Sequence, residues 1–289
     1  MEPHFDQISI IGVGFMGGSL ALAFKKYGLS KKIIGISREE TIKKALKLKI
    51  IDGGFPYEKI DKGIDGSSLI ILSSPINIII EHIKILSKIV NPDTIITDIG
   101  STKEKIMETA LEEFSDGVYF VGGHPMAGSE KSGVDTADPS IFINKSYALV
   151  PSVNTPRLVM DKLRDIIITI GSIPVILTPR VHDEIVAAVS HLPQMLSVVL
   201  MNVVGSFDND SGDYFNLSGG GFYDMTRIAS SQFKIWEDIC KTNQNNIKKA
   251  ISVYIEKLEK IKELIGNEKL KSEFEKANHF REMLNKLQD

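Results

Sequence analysis

The chain has 289 residues, 43% of them hydrophobic and 25% charged, with a formal net charge of −3. That length suits two domains with ordinary cores, and the slightly acidic balance gives a polyanionic partner such as nucleic acid nothing to bind. A lone cysteine, Cys240, permits no internal disulfide and points to a reducing compartment.

The first informative stretch follows at once. An apolar run over 8–11 leads into Gly12-Val13-Gly14-Phe15-Met16-Gly17, and a helical pattern of Leu20, Ala21, Ala23 and Phe24 follows. A GxGxxG loop between strand and helix is the signature of a dinucleotide site. Gly12 permits the tight turn, Gly14 the approach of backbone to a pyrophosphate, and Gly17 the close packing of helix on strand. The helix N-terminus, with Phe15 and Met16, offers free N–H groups to the phosphates. A glycine-rich turn without ligand is the plainer reading. The flanking strand and helix favour NAD or NADP.

Further β-branched runs at 32–36, 69–72, 94–97, 118–121, 147–150 and 173–177 alternate with helical patterns at 41–48, 77–90, 103–114 and 156–170. Repeated βα units predict a doubly wound, mainly parallel sheet of Rossmann type with helices on both faces. Ligands on such sheets bind beyond the carboxyl ends of the strands, where Ser73-Ser74-Pro75, 98–102 and 122–125 fall. NAD–NADP selectivity is set after the second strand, and this chain has Ser37-Arg38 there. The guanidinium of Arg38 suits a 2′-phosphate, so NADP is expected with NAD as the second reading; a solvated surface charge is the alternative for Arg38.

From residue 179 the strands stop. Helical patterns cover 180–204, 223–230, 233–241 and 244–265, with a last helix beyond Gly266-Asn267 and a polar, glycine-rich break at 205–221. Ile247, Ile251, Tyr254, Leu258, Ile261 and Ile265 form a seam for another helix, within the domain or on a second copy. The expected division is a dinucleotide-binding domain over 1–178 and an all-α substrate and dimerisation domain over 179–289, giving a homodimer through the C-terminal helices. The apolar stretches 69–80 and 185–204 are interrupted, the second by His191, Pro193, Gln194 and Asn202, and neither is expected to span a bilayer. The polar opening residues are unlike a signal peptide, so a cytoplasmic protein is expected.

Five side chains carry candidate chemistry. His124, after a strand and two glycines, suits a base at the rim of the sheet, or a histidine tying down a loop. Ser101 can hydrogen-bond the same imidazole or a substrate hydroxyl, or cap the helix that follows. His191, within an apolar stretch, reads as a hydrogen-bonded core residue. Asp224 and Arg227, three apart on a helix, read as a surface pair or as a carboxylate-binding arginine with its holder. No metal-ligand spacing is present.

Together these segments resemble the prephenate/arogenate dehydrogenases of tyrosine biosynthesis. The resemblance is carried by Gly12-Val13-Gly14-Phe15-Met16-Gly17-Gly18-Ser19, Asp98-Ile99-Gly100-Ser101-Thr102-Lys103, Gly123-His124-Pro125-Met126-Ala127-Gly128, Ser190-His191-Leu192-Pro193-Gln194 and the run 220–229, in that order. It implies an NAD(P)-dependent oxidative decarboxylation of a cyclohexadiene bearing a ring carboxylate and a 4-hydroxyl. On that reading His124 accepts the hydroxyl proton and Ser101 bonds both the imidazole and the substrate. Arg227, held by Asp224, pairs with a substrate carboxylate, His191 assists binding, and Glu130 stands near the pocket entrance. Trp236 lines the site or belongs to the core. The resemblance thus requires His124 and Arg227 to converge on one small ring. Two other readings are a β-hydroxyacid dehydrogenase, whose base is a helix lysine, and a nucleotide-sensing regulator without turnover.

Overall fold

The computed structural model describes residues 4–128, 132–208 and 211–286. The chain forms two compact units, one running through residue 244 and the other from residue 245. The first is built on an eight-stranded sheet: β1 (Phe5–Ile11), β2 (Ser30–Ile36), β3 (Gly53–Phe55), β4 (Leu69–Leu72), β5 (Ile95–Asp98), β6 (Tyr119–Pro125), β7 (Ser146–Pro151) and β8 (Ile173–Ile176). Their order is β3-β2-β1-β4-β5-β6-β7-β8, all neighbours parallel except β6 and β7. Central strands reading as unbroken β-branched runs are those covered on both faces. Ile8, Ile10, Leu69, Ile71, Val121 and Leu149 accordingly lie in the core, each at most 1% exposed.

Helices of this unit are α1 (Phe15–Lys26), α2 (Glu39–Lys47), α3 (Ile60–Ile64), α4 (Ile76–Leu86), α5 (Glu104–Glu113), α6 (Arg157–Thr169), α7 (Pro179–Val186), α8 (Leu192–Phe207), α9 (Asp213–Asn216), α10 (Gly220–Thr226) and α11 (Phe233–Thr242). The second unit is the helix pair α12 (Gln244–Leu264) and α13 (Leu270–Lys286), joined by a Lys260–Glu273 ion pair of 2.9 Å. Of the expected seam residues, Leu258 on α12 and Ile265 just after it are exposed, at 55% and 71%.

Three differences from the sequence reading matter. Gly53–Phe55 adds an edge strand that two glycines concealed. Gly122-Gly123-His124-Pro125 is the end of β6 rather than a loop, because β7 runs antiparallel alongside and pairs His124 with Ala148. Residues 179–207 make one helical run of 29 residues, long and apolar enough by composition to cross a bilayer, where the 185–204 stretch gave no such expectation. Its outer face shows Ile185, Val189, Val199, Val203 and Phe207 exposed, whereas His182, Asp183, His191 and Gln194 on the other side are buried. The run widens into a π turn at Ala187–His191. Pro193 has no N–H for the carbonyl one turn earlier, and a break in the ladder there is the physical reason.

Candidate active site

Four segments leave the carboxyl ends of adjacent strands β1, β4, β5 and β6 and line one rim: the Gly12–Phe15 turn, Ser73–Pro75, 99–103 and His124. The sheet order reverses between β1 and β4, the place where doubly wound folds hold nucleotides. Gly12 has φ +98°, a left-handed conformation suited to glycine. A Cβ there would lie 2.2 Å from the Ser73 carbonyl oxygen, and one on Gly17 would lie 2.1 Å from that of Gly12. At Gly14, by contrast, nothing lies within 4 Å of where a Cβ would be. The turn is thus packed tight at two glycines and open at the third, which fits a phosphate drawn against backbone. The buried Ser73 and Ser74 hydroxyls beside it have no hydrogen-bond partner among the described residues. Burying a hydroxyl unpaired costs free energy, so two orphans at this crevice fit a polar ligand.

Phe15 is buried at the start of α1, with Met16 half-buried after it, and Pro75 precedes the first residue of α4. At the end of β2, Ser37 is buried and donates its N–H to the Phe55 carbonyl at 3.2 Å. Arg38 is exposed where α2 begins. Glu39 and Glu40 occupy the first turn of α2.

Asp98, fully buried at the end of β5, organises the chemical end of the rim. Its carboxylate accepts the N–H groups of Gly100 at 2.7 Å and Gly123 at 3.0 Å and pairs with the ammonium of Lys103, also fully buried. Gly122 leaves room for this lysine: a Cβ would lie 3.0 Å from its Cδ and 2.9 Å from Met107 Sδ. Burial pushes the Lys103 pKa down while Asp98 pulls it back up. Locked in this pair, Lys103 is not free to act as a base.

His124 projects from the end of β6, half-buried. Burial foremost, then the charges of His182, Lys103 and His191, hold its pKa well below the ordinary histidine value. The ring is therefore a neutral, proton-accepting imidazole at neutral pH. Its Nδ1 lies 2.9 Å from His182 Nε2, and His182 Nδ1 lies 2.7 Å from Asp183 Oδ1. Sequence reasoning gave Ser101 a bond to this imidazole or to a substrate hydroxyl; the structure gives Nδ1 to His182. Ser101, half-buried three residues beyond β5, does not cap α5 either. Asp183 does so from α7: Oδ1 accepts Lys103 N–H at 2.7 Å and Oδ2 accepts Glu104 N–H at 3.0 Å.

Asn243 extends the same network. Its amide nitrogen donates to the Asp183 carbonyl at 2.8 Å and faces His191 Nδ1 at 3.3 Å. His191 is 1% exposed, and Trp236, half-buried, meets its ring edge-on at 5.8 Å between centroids. Burial pulls the His191 pKa down to about 4, against the opposing pull of Asp183. Neutral and accepting at Nδ1, His191 carries its hydrogen on Nε2 and is a donor there.

Three residues beyond His191, the amide nitrogen of buried Gln194 donates to the Ile228 carbonyl at 2.9 Å and tethers the turn Arg227–Ser230. Asp224 and Arg227, both exposed, line a cavity of about 580 Å³ with Met201, Phe215, Phe222 and Tyr223. His124 does not line it. A separate, apolar cavity of about 330 Å³ beside His182 is bounded by Met126, Ala148, Val175 and Ile185. Within this chain the His182–Asp183–Asn243 path joins the rim histidine to His191, and Arg227 lines a different cavity. Glu130 lies outside the described residues.

Sequence reasoning missed His182, Asp183 and Asn243 altogether and quoted Asp98 and Lys103 without a role. Their partners lie 58 to 80 residues away for the first two, beyond any local pattern.

Residues 20–177 match the family model described as "Prephenate dehydrogenase, nucleotide-binding domain", and residues 178–285 match "Prephenate dehydrogenase, dimerization domain". The prephenate dehydrogenase of Bacillus subtilis is 33% identical over 270 residues, which cover 93% of this chain and 72% of that protein. That of Lactococcus lactis is 36% identical over 239 residues, 82% of this chain and 65% of that one. Among solved structures, prephenate dehydrogenase from A. aeolicus in complex with hydroxyphenyl propionate and NAD+ superposes with a TM-score of 0.89 at 33% identity, covering 98% of each chain. Synechocystis arogenate dehydrogenase gives 0.83 at 28% identity, over 96% of this chain and 99% of that one. Both halves are matched, in order and almost end to end, and the chain belongs to the prephenate dehydrogenase family.

Proposed function

We propose that this chain is a prephenate or arogenate dehydrogenase, oxidising and decarboxylating a cyclohexadiene to 4-hydroxyphenylpyruvate or tyrosine. The observation that carries the reading is His124: a proton-accepting imidazole at the same strand-end rim as the open glycine turn. Gly12, Gly14, Phe15, Met16, Gly17 and Ser73-Ser74-Pro75 would hold the dinucleotide, and a bound nicotinamide supplies the hydride acceptor. Residues 1–178 carry that cofactor, and 179–289 complete the substrate site and the dimer.

His124 Nε2 takes the proton of the 4-hydroxyl as the hydride departs from carbon 4. The C–O bond becomes a carbonyl, the bond from ring to carboxylate breaks, and its electron pair enters the ring as carbon dioxide leaves. Aromatisation drives that second stage, so the protein's work is proton acceptance and positioning. Ser101 hydrogen-bonds the reacting hydroxyl, and Arg227, oriented by Asp224, clamps a substrate carboxylate. His191 contributes its Nε2–H, and Glu130 stands at the entrance. Arg38 with Ser37 selects NADP through its 2′-phosphate; the NAD+ bound by the A. aeolicus relative supports the second reading, NAD. The exposed apolar face of 185–207 and the seam on α12 support a homodimer, and the enzyme works in the cytoplasm.

The test is an absorbance assay at the reduced-nicotinamide band that crosses prephenate and arogenate with NAD and NADP. Turnover of one diene with one cofactor is expected. No turnover in any of the four combinations removes the enzymatic reading.

A further inference from the structure

The hydrogen-bond chain behind His124 has a direction. Asp183 accepts two backbone N–H groups at the N-terminus of α5, an environment that favours the acceptor-only carboxylate. His182 Nδ1, 2.7 Å from that carboxylate, therefore carries a hydrogen and donates it. The relay requires a neutral His182 ring, whose Nε2 then carries a lone pair 2.9 Å from His124 Nδ1. Nδ1 of His124 must then be the N–H of its ring, and the lone pair is left on Nε2.

We infer that His182 and Asp183 are positioning residues that fix the tautomer of His124, setting the Asp183 carboxylate, the His182 ring and the His124 ring in one relay that bares Nε2. Three features make the relay rigid. His182 and Asp183 are 1% and 0% exposed, so no water competes for their bonds. Asp183 is held from four sides: by two amides of α5, by His182, and through its carbonyl by Asn243. The two rings meet edge to face, 64° apart with centroids at 5.1 Å, so the His124 ring turns only by breaking the bond. After His124 accepts a proton on Nε2, its Nδ1–H stays bonded to His182, and the charge formed remains hydrogen-bonded. The inference rests on the proposed function for the base's role, but the tautomer itself is a property of the chain alone.

The experiment labels the chain with 15N-histidine and reads ring tautomers from long-range 1H–15N spectra at neutral pH, without substrate. The histidines are assigned by His124→Gln and His182→Phe variants. His124 is expected in the Nδ1–H form, with Nε2 bare. An Nε2–H form of His124 in the unmodified chain overturns the proposal. In His182→Phe the ring stays but the relay is gone, so the Nδ1–H preference should vanish. kcat should fall about 10²-fold, as expected for a base in the wrong form, while KM for diene and cofactor stays within about twofold. An unchanged kcat also overturns the proposal. Should His182→Phe not fold, the spectrum of the unmodified chain still decides. A correct tautomer with no turnover of either diene sinks the functional reading and leaves the relay standing.

Discussion

The carboxylate of Asp238, on α11, accepts the backbone N–H of Asn77 at 3.1 Å and a second hydrogen bond from the Asn77 side chain, capping α4 from a distant part of the sequence. Asp183 treats α5 in the same way. Both capped helices follow rim loops: Ser73–Pro75 before α4, and Ser101 before α5. Thr102 and Thr242 add a third tie, with their hydroxyls 2.7 Å apart. Helices α7 and α11 are thus latched onto the first turns of α4 and α5, directly after the loops that carry the proposed cofactor and substrate contacts.

Asp238→Ala tests the latch. It removes the carboxylate that caps α4, so stability should fall by about 0.5–2 kcal/mol. Dinucleotide affinity should fall with it, because the Ser73–Pro75 loop loses its anchor. Denaturant unfolding and a fluorescence titration measure the two. Lost stability with unchanged affinity would make the cap purely structural.

His124→Asn keeps a polar side chain but removes the proton acceptor. Turnover should drop by about 10²–10⁴-fold while cofactor affinity is retained. In the unmodified chain the base works in its deprotonated form, and burial with His182, Lys103 and His191 holds its pKa well below normal. Activity should therefore persist below the usual histidine range and be lost only on further acidification. A kcat/KM profile whose acid limb has its midpoint at or above pH 6.5 contradicts the burial argument.

Arg227→Ala should act mainly on KM. A carboxylate clamp engaged equally in ground and transition states lowers affinity when lost and leaves kcat nearly intact. Unchanged KM means that Arg227 serves the fold of its turn, which Gln194 already tethers.

The companion experiment at the other end of the cofactor is Arg38→Ala. NADP should weaken much more than NAD, since the 2′-phosphate loses its cation. An equal loss for both cofactors assigns Arg38 to the surface.

Much of this architecture was legible in the residues. Strands buried on both faces must be apolar throughout, so 8–11, 69–72 and 118–121 announced themselves, and the glycine spacing announced the turn after β1. What sets the chemistry was not legible. His182-Asp183 sits beside Arg180 and Glu184 on α7 and reads as part of a solvated helix face; its burial comes from β6 and α5, far away in sequence. The π turn at Ala187–His191 further changes which residues share a face, so helical periodicity alone misplaces His191 relative to His182. The Gly122-Gly123 pair looked like a loop because glycine weakens strand propensity. Here each glycine instead clears space, for Lys103 and Met107 in one case and for the Asp98 carbonyl in the other.

Buried histidines also make the fold acid-sensitive in a defined window. His191 has its pKa drawn from an ordinary 6.5 down to about 4 in the folded chain. Above pH 6.5 neither the folded nor the unfolded chain protonates it, and it contributes no slope. Between 6.5 and 4 the unfolded chain binds a proton that the folded one refuses, so stability falls as pH drops. Integrated over that window the loss is about 3 kcal/mol from this one group. Burial lowers the pKa of His82 and His124 as well, with the same sign. Urea unfolding from pH 7.5 to 4.5 should show stability flat above 6.5 and declining below it. His191→Gln, which keeps an amide able to meet Asn243 but cannot titrate, should make the decline shallower. If the two slopes coincide, His191 is reached by solvent or protonated in the folded chain, and its proposed role as a neutral Nε2–H donor to the substrate fails with them.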